Sequence, residues 1–341
     1  MNKIYVVDLE AIESRYTVEW KIHVPEYIQK AIDRTNAPYT VEVIEGTDEI
    51  PNAVTPGAFI NFGGTNMYKS SQLMKIAEMF TLGKISAGDK FLYTDAWNPT
   101  IIQVKYMSEL LQIPVQIHAL WHAGSYDSAD FLGRLITDKS WITPFEQSLF
   151  NAIDVNYFAT EFHKNLAPFK NDSKIYIAGW PMEYLRESIF ESDKEDIILF
   201  PHRLAPEKQL HIFKELQRRM PQFTWIVCQE ENLTKQQYHE LLSKSKIVLS
   251  TSLQETLGIA MYEAALAGSI PLVPDRLSYC EMYTDDFKYP SDYSIDQLES
   301  LIINTMQNYG TLKKKLPQLL NRLNPFFTST ELINKLLKCK Y

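Results

Sequence analysis

Cysteine is scarce in this chain: Cys228, Cys280 and Cys339 are the only three among 341 residues, and no two share a CxxC spacing. That rules out a disulfide framework, offers no zinc signature and suits a reducing compartment. Long apolar runs are missing too. None approaches the roughly 18 uncharged residues that a bilayer crossing needs. The opening MNKIYVVDLE has too short an apolar stretch, and too early an acid, for a secretory signal. A cytoplasmic location without a membrane partner is therefore expected. Positive charge is in deficit, with a net charge of −8, so the surface as a whole does not advertise nucleic-acid binding. What is present, 45% hydrophobic and 22% charged residues over a length that holds about two ordinary domains, describes a folded globular protein.

The charge is unevenly spread. From residue 301 onward Lys313, Lys314, Lys315, Arg322, Lys335, Lys338 and Lys340 face a single acid, Glu331. Such a run is a solvated helix face in the plain reading and a contact patch for DNA or another polyanion in the functional one.

Apolar residues alternate between two periods along the chain. IYVVDL (4–9), YTVEVI (39–44), AFINF (58–62), KFLYTD (90–95), VQIHAL (115–120), DVNYFAT (154–160) and KIYIAGW (174–180) read as strands. Stretches near 20–34, 70–82 and 100–112 place apolar residues three and four apart, as helices do. After the charged stretch ESDKED (191–196), strands DIILFP (196–201), FTWIVC (223–228), KIVLST (246–251) and IPLVPD (270–275) alternate with helices near 206–220, 234–243 and 256–268. The last 45 or so residues read as two or three helices. This order predicts an α/β chain with two doubly wound, Rossmann-like domains facing a cleft. The expected boundaries are 1–182 and 183–310, with C-terminal helices over 311–341 packing back across the cleft. Open parallel sheets bind ligands at the carboxyl ends of their strands, so those ends hold the candidate residues.

In the second half, FPHRLAPEKQL runs from a strand end into a helix start and brings Arg203 and Lys208 five residues apart. An Arg fork and a Lys point charge beside free helix N–H groups suit a diphosphate. Alone, such a pair is usually solvated surface. Further on, STSLQETLGIAMYEAALAG places Glu255 and Glu263 eight apart, with Gly258 on the first helical turn. Glu263 falls in an otherwise apolar run, and a carboxylate there is costly unless paired or liganded.

The Arg-x4-Lys element followed by this Glu-x7-Glu element resembles the retaining GT-B glycosyltransferases of the family 4 type, over roughly residues 196–290. The resemblance implies that Arg203 and Lys208 bind the diphosphate of a nucleotide-sugar, commonly a UDP-sugar. It implies that Glu255 contacts the sugar hydroxyls, that Leu257, Gly258 and Ile259 give backbone amides to phosphate, and that Glu263 takes the ribose hydroxyls. It implies same-face attack, in which the leaving phosphate helps to take the acceptor proton. The nucleotide-sugar is a co-substrate, and neither a cofactor nor a metal is expected, since no Asp-x-Asp motif stands at a strand end. The chain departs from that family at His202 and Gln209, where Gly is frequent, and in DLEAIESRYTVEW, which replaces a Gly-rich loop after the first strand.

The first half offers polar clusters at expected strand ends. Glu13, Arg15, Tyr16, Thr17 and Trp20 follow the first strand, Gly63 and Gly64 follow AFINF, and Asp95 and Trp97 follow the fourth. His122, Ser125, Tyr126, Asp127 and Asp130 follow the fifth. His122 resembles that family's cleft histidine near the donor sugar; its plain reading is a satisfied structural histidine. Asp95 or Asp127 is placed to orient or deprotonate an acceptor hydroxyl. Glu13, Arg15, Tyr16, Thr17, Trp20 and Trp97 are the candidate acceptor contacts.

VPDRLSYCEMY (273–283) is similar to the PxRLxYxE stretch of the tRNA-queuosine mannosyltransferase group, and with ESRYT it resembles bacteriophage glycosyltransferases that decorate hydroxymethylated pyrimidines in DNA. Those resemblances imply a modified base as acceptor, flipped from a duplex into the site, and the host cytoplasm as the setting of a phage-encoded protein. A polysaccharide, lipid or small-molecule acceptor is the alternative, and a non-catalytic nucleotide- or nucleic-acid-binding module a third.

Overall fold

A computed structural model describes residues 1–10, 16–47, 60–169 and 172–338. The chain divides into two compact units, Met1–Pro181 with Thr328–Tyr341, and Met182–Phe327. No helix among the described residues is long and apolar enough to cross a membrane.

The first unit is built on six parallel strands: β1 (Asn2–Val7), β2 (Tyr39–Ile44), β3 (Lys90–Tyr93), β4 (Gln116–Leu120), β5 (Val155–Phe158) and β6 (Ile175–Ile177). Their order is β2-β1-β3-β4-β5-β6. The four residues of β3 and the last four of β1 are buried, the near-continuous apolar run that a parallel strand covered on both faces requires. Val7 pairs with Ile44 on one side and with Tyr93 on the other, so the chain leaves β1 in one direction for β2 and returns in the other for β3. That reversal is the switch point where open α/β sheets hold ligands.

Helix α1 (Thr17–Thr35) ends at Asn36, whose left-handed φ of 49° closes the last turn. Helix α2 (Phe62–Thr81) starts where a strand was expected. At 60–62 AFINF is no strand: the Asn61 side chain caps the Gly64 N–H at 2.8 Å, so Phe62, Gly63 and Gly64 form the first helical turn. The helix begins eight residues ahead of the expected 70 because its buried face is polar. Thr65, Tyr68, Lys69 and Gln72 turn inward, and an apolar period cannot register them.

The second unit carries β7 (Glu195–Phe200), β8 (Thr224–Val227), β9 (Ser245–Leu249), β10 (Ile270–Pro274) and the two-residue β11 (Lys288–Tyr289), ordered β11-β10-β9-β7-β8. Its switch point lies between β7 and β9. The helix Ile259–Leu266 follows β9, and Leu316–Leu323 packs near it with Leu319 and Leu323 buried. The last helix, Thr330–Lys338, belongs to the first unit: the buried Lys90 ammonium donates to the Leu336 carbonyl at 2.5 Å.

The basic C-terminal run is thereby split. In the second unit Lys313 pairs with Glu191 at 2.7 Å, Lys315 pairs with Asp286, and Arg322 donates to the carbonyls of Met282 and Glu281. In the first, Lys335 lies over the Tyr176 ring. Lys340 and Cys339 fall outside the described residues.

Candidate active site

Both edges of the β7/β9 switch point carry charge. β7 runs out through Pro201 into His202 and Arg203, and the turn Pro206–Lys208 follows. Pro206 presets the φ of that turn. The Arg203 guanidinium donates to Glu207 Oε1 from Nη2 at 2.6 Å and from Nε at 3.2 Å. Glu207 is buried, so it fixes the fork rather than competing from solvent. Lys208 is buried as well, and its Nζ donates to the Gln254 carbonyl at 2.5 Å and to Glu255 Oε2 at 3.3 Å. The two candidate cations are thus aimed by carboxylates.

Glu255 stands after β9. Burial works to raise its carboxyl, but the Lys208 ammonium, the His202 ring and the Gly258 amide outweigh it and hold the group below the ordinary carboxylate range. Gly258 caps the Ile259–Leu266 helix with a φ of 76°. A Cβ there would stand 2.7 Å from the Tyr279 ring, so both the handedness and the close approach require glycine. Leu257 is buried beside it, and Ile259 opens the helix. Glu263, one turn into that helix, accepts the Tyr238 hydroxyl at 2.9 Å and lies 3.8 Å from the His239 ring. Its buried carboxylate therefore has a partner that the sequence did not disclose.

The PDRLSYCE segment is the brace of this site. Arg276 donates to the carbonyls of Thr251 and Ser252 at 2.9 Å and to Gln209 Oε1 at 3.1 Å. Gln209 itself holds a left-handed φ of 52°, which explains why glycine is frequent at that position in the family it resembles. Tyr279 shares a hydrogen bond with Ser250 Oγ at 3.1 Å while its ring fills the space beside Gly258. Leu277, at φ 61°, is a strained turn between these two contacts.

In the first unit the switch point between β1 and β3 gathers an aromatic and acidic cluster. His122 stands after β4, with Nδ1 accepting from Tyr16 Oη at 2.6 Å and Nε2 donating to the Thr94 carbonyl at 2.7 Å, the tautomer a carbonyl partner demands. Trp180 and Trp20 pack on the ring at 4.5 and 5.2 Å between centroids. Trp20 and Thr17 are buried in this cluster. Asp95 accepts from Lys69 Nζ at 3.0 Å and from the Trp97 amide at 3.0 Å. Burial works to raise the Asp95 carboxyl, but the Lys69 ammonium and the nearby His122 hold it below its usual range.

Other candidates are held by their own surroundings. Trp97 Nε1 donates to the buried Glu146 at 2.9 Å, and the same carboxylate accepts the Ser125 amide at 2.6 Å and hydroxyl at 2.9 Å. Asp127 receives the Ala129 amide at 2.9 Å, and Asp130 caps the Leu132 amide at 2.9 Å. Glu13 and Arg15 lie outside the described residues.

Sequence reasoning passed over Asp8 and Glu10, which follow β1. Asp8 accepts from Tyr68 at 2.7 Å and from Gln72 at 2.8 Å, and Glu10 accepts from Thr65. Burial pushes the Asp8 carboxyl up to about 7. The signal was present as two acids at the end of an apolar strand, where an uncompensated charge is expensive.

No family model matches the chain. Over 133 residues it is 29% identical to the tRNA-queuosine alpha-mannosyltransferase of Drosophila melanogaster, a match covering 39% of this chain and 33% of that protein, about a third of the relative's length. Among solved structures, the sucrose-phosphate synthase of Thermosynechococcus elongatus superposes with a TM-score of 0.66 at 10% identity, covering 98% of this chain and 97% of that one. HepE of Anabaena, in complex with UDP and glucose, does so with a TM-score of 0.60 at 12% identity, covering 99% and 98%. At these identities the likeness speaks to architecture: two parallel-sheet α/β units in the GT-B fold.

Proposed function

We propose that the chain is a retaining glycosyltransferase of the family 4 type, moving a hexose or pentose from a UDP-sugar to a hydroxyl on a modified nucleobase. The observation that carries this is the Lys208–Glu255 pair, with Arg203 aimed beside it, at the switch point of the second sheet. Arg203 and Lys208 receive the diphosphate as negative charge grows on departure, and the amides around Leu257, Gly258 and Ile259 add fixed dipoles. Glu255, kept ionised, takes sugar hydroxyls, and Glu263 takes the ribose. In the first unit, His122 and Asp95 face the acceptor with Tyr16, while Thr17 and Trp20 are buried behind them; Asp127, Trp97, Glu13 and Arg15 complete the candidate set there. The favoured acceptor is a hydroxymethylated pyrimidine in DNA.

The similarity to the Drosophila enzyme favours a second reading, a hypermodified base in tRNA as acceptor. One experiment separates them. The protein is incubated with a panel of nucleotide-sugars and, in parallel, hydroxymethylated DNA, unmodified DNA and bulk tRNA, and the digested nucleosides are weighed for a hexose or pentose shift. A shift confined to hydroxymethylated DNA supports the first reading, and one confined to tRNA supports the second. A shift on neither, with any donor, refutes a nucleobase acceptor.

A further inference from the structure

His202 is the charged site's unexplained member. It sits between β7 and Arg203, with its ring edge-on to Phe200 at 5.3 Å. The side chain is 6% exposed, and its Nε2 is buried with no hydrogen-bond partner. Both nitrogens of the buried His118 are bonded, to Tyr157 and Gln116, whereas His163 Nδ1 and His239 Nε2 also lack a partner; of the three without one, only His202 adjoins the candidate cations Arg203 and Lys208. A buried ring nitrogen without a partner is costly, and such an atom at a candidate site points to a group that is still to arrive.

The charges around His202 say which group. Lys208 and Arg203 face it as cations, Glu255 and Glu207 as anions. Burial first, then Lys208, drive the imidazole down to about 3, so the ring is neutral at physiological pH. A neutral imidazole with no protein acceptor is free to carry its proton on Nε2. Glu255 and Glu207 are already paired with Lys208 and Arg203, so an N–H donor beside those two cations is suited to an added anion.

We propose that His202 is a further donor-site residue, whose Nε2–H hydrogen-bonds a phosphate oxygen of the bound nucleoside diphosphate. This rests on the donor-site assignment proposed above.

The test uses UDP as probe, the full-length chain, and calorimetric Kd values for His202→Gln, His202→Asn and His202→Ala. The Gln amide nitrogen falls near the place of Nε2, whereas the Asn amide falls near that of Nδ1. His202→Gln should stay within about threefold of wild type, while His202→Asn and His202→Ala weaken UDP by about tenfold or more, the size expected for one hydrogen bond to a charged group. A structural role would instead lower Tm in all three variants and leave Kd alone. Equal affinity in all four proteins overturns the proposal, as does equal weakening by Gln and Asn. Lys208→Ala run alongside keeps the two readings apart: if it loses UDP while the His202 variants keep it, only the histidine assignment fails. If wild type binds no UDP, the donor site fails and the histidine assignment with it.

Discussion

Replacing Lys208 by Met keeps the volume and removes the ammonium that Gln254 and Glu255 share. The side chains of Lys208 and Glu255 are 6% and 21% exposed. Removing one partner of a buried ion pair costs about 3–5 kcal/mol, most of it from the charge left behind. Glu255 keeps about a fifth of its surface, so the lower end applies, about 3 kcal/mol. Adding Glu255→Gln takes away the stranded carboxylate, and the double variant should recover roughly half of that loss, giving a coupling of at least about 1.5 kcal/mol, larger by whatever Glu255→Gln costs alone. The pH dependence follows. In wild type the Glu255 carboxyl lies below its ordinary value, so the pair's contribution is full above about pH 4.5 and is lost as pH falls through the folded value. Without Lys208, burial raises the same carboxyl, so the variant's deficit is greatest near pH 7.5 and shrinks toward pH 5. Urea unfolding at both pH values reads the stability, and UDP titration the site, with all three variants losing affinity. A Lys208→Met protein as stable as wild type, with coupling under about 0.3 kcal/mol, would refute the reasoning. Lost stability with unchanged UDP affinity would leave Lys208 a structural residue.

Gly258→Ala should lose about 2–3 kcal/mol and most donor affinity, because the left-handed turn and the Tyr279 ring both reject a Cβ; thermal melting with UDP titration checks it. Asp8→Asn tests the buried acid of the first unit. Its folded carboxyl stands near 7 against an ordinary 3.8, so wild type loses stability as pH rises through that window. Asp8→Asn should therefore gain on wild type by up to about 4 kcal/mol between pH 4 and 8, read by urea unfolding, and a pH-independent difference would sink the idea. Glu146→Leu leaves Trp97 Nε1 and the Ser125 amide and hydroxyl unmatched and should cost about 3–5 kcal/mol, measured the same way.

Most strands were readable as short apolar runs, and YTVEVI matches β2 residue for residue, but the two-residue β11, Lys-Tyr, carries no such run. Helix α2 was readable from about residue 70 but not at its start, since Tyr68, Lys69 and Gln72 bury polar groups against Asp8 and Asp95. The spacing of Arg203, Lys208, Glu255 and Glu263 showed which charges to examine, but not their partners. Glu207 was hidden among neighbours of like polarity, and Tyr238 lies 25 residues from Glu263. The same holds for His122, whose hydrogen bonds reach Tyr16 and the Thr94 carbonyl across the sheet edge. Contacts of that kind belong to topology, and no local period encodes them.

The first unit is discontinuous, and this has a consequence for the order of events during synthesis. Met182–Phe327 is a single stretch with its own five-stranded sheet, and it emerges complete before the last helix does. The amino-terminal sheet is made first yet finished last. Until Leu332 and Leu336 leave the ribosome, Tyr157 lacks the carbonyl that its hydroxyl meets, and Lys90 lacks the Leu336 carbonyl that receives its ammonium. By that placement the usual vectorial order, in which the amino-terminal domain folds first, is expected to be inverted. The earlier half is then left with an unfinished face until Thr328–Tyr341 is made, and a stop codon just after Phe327 should spare the second unit and strand the first.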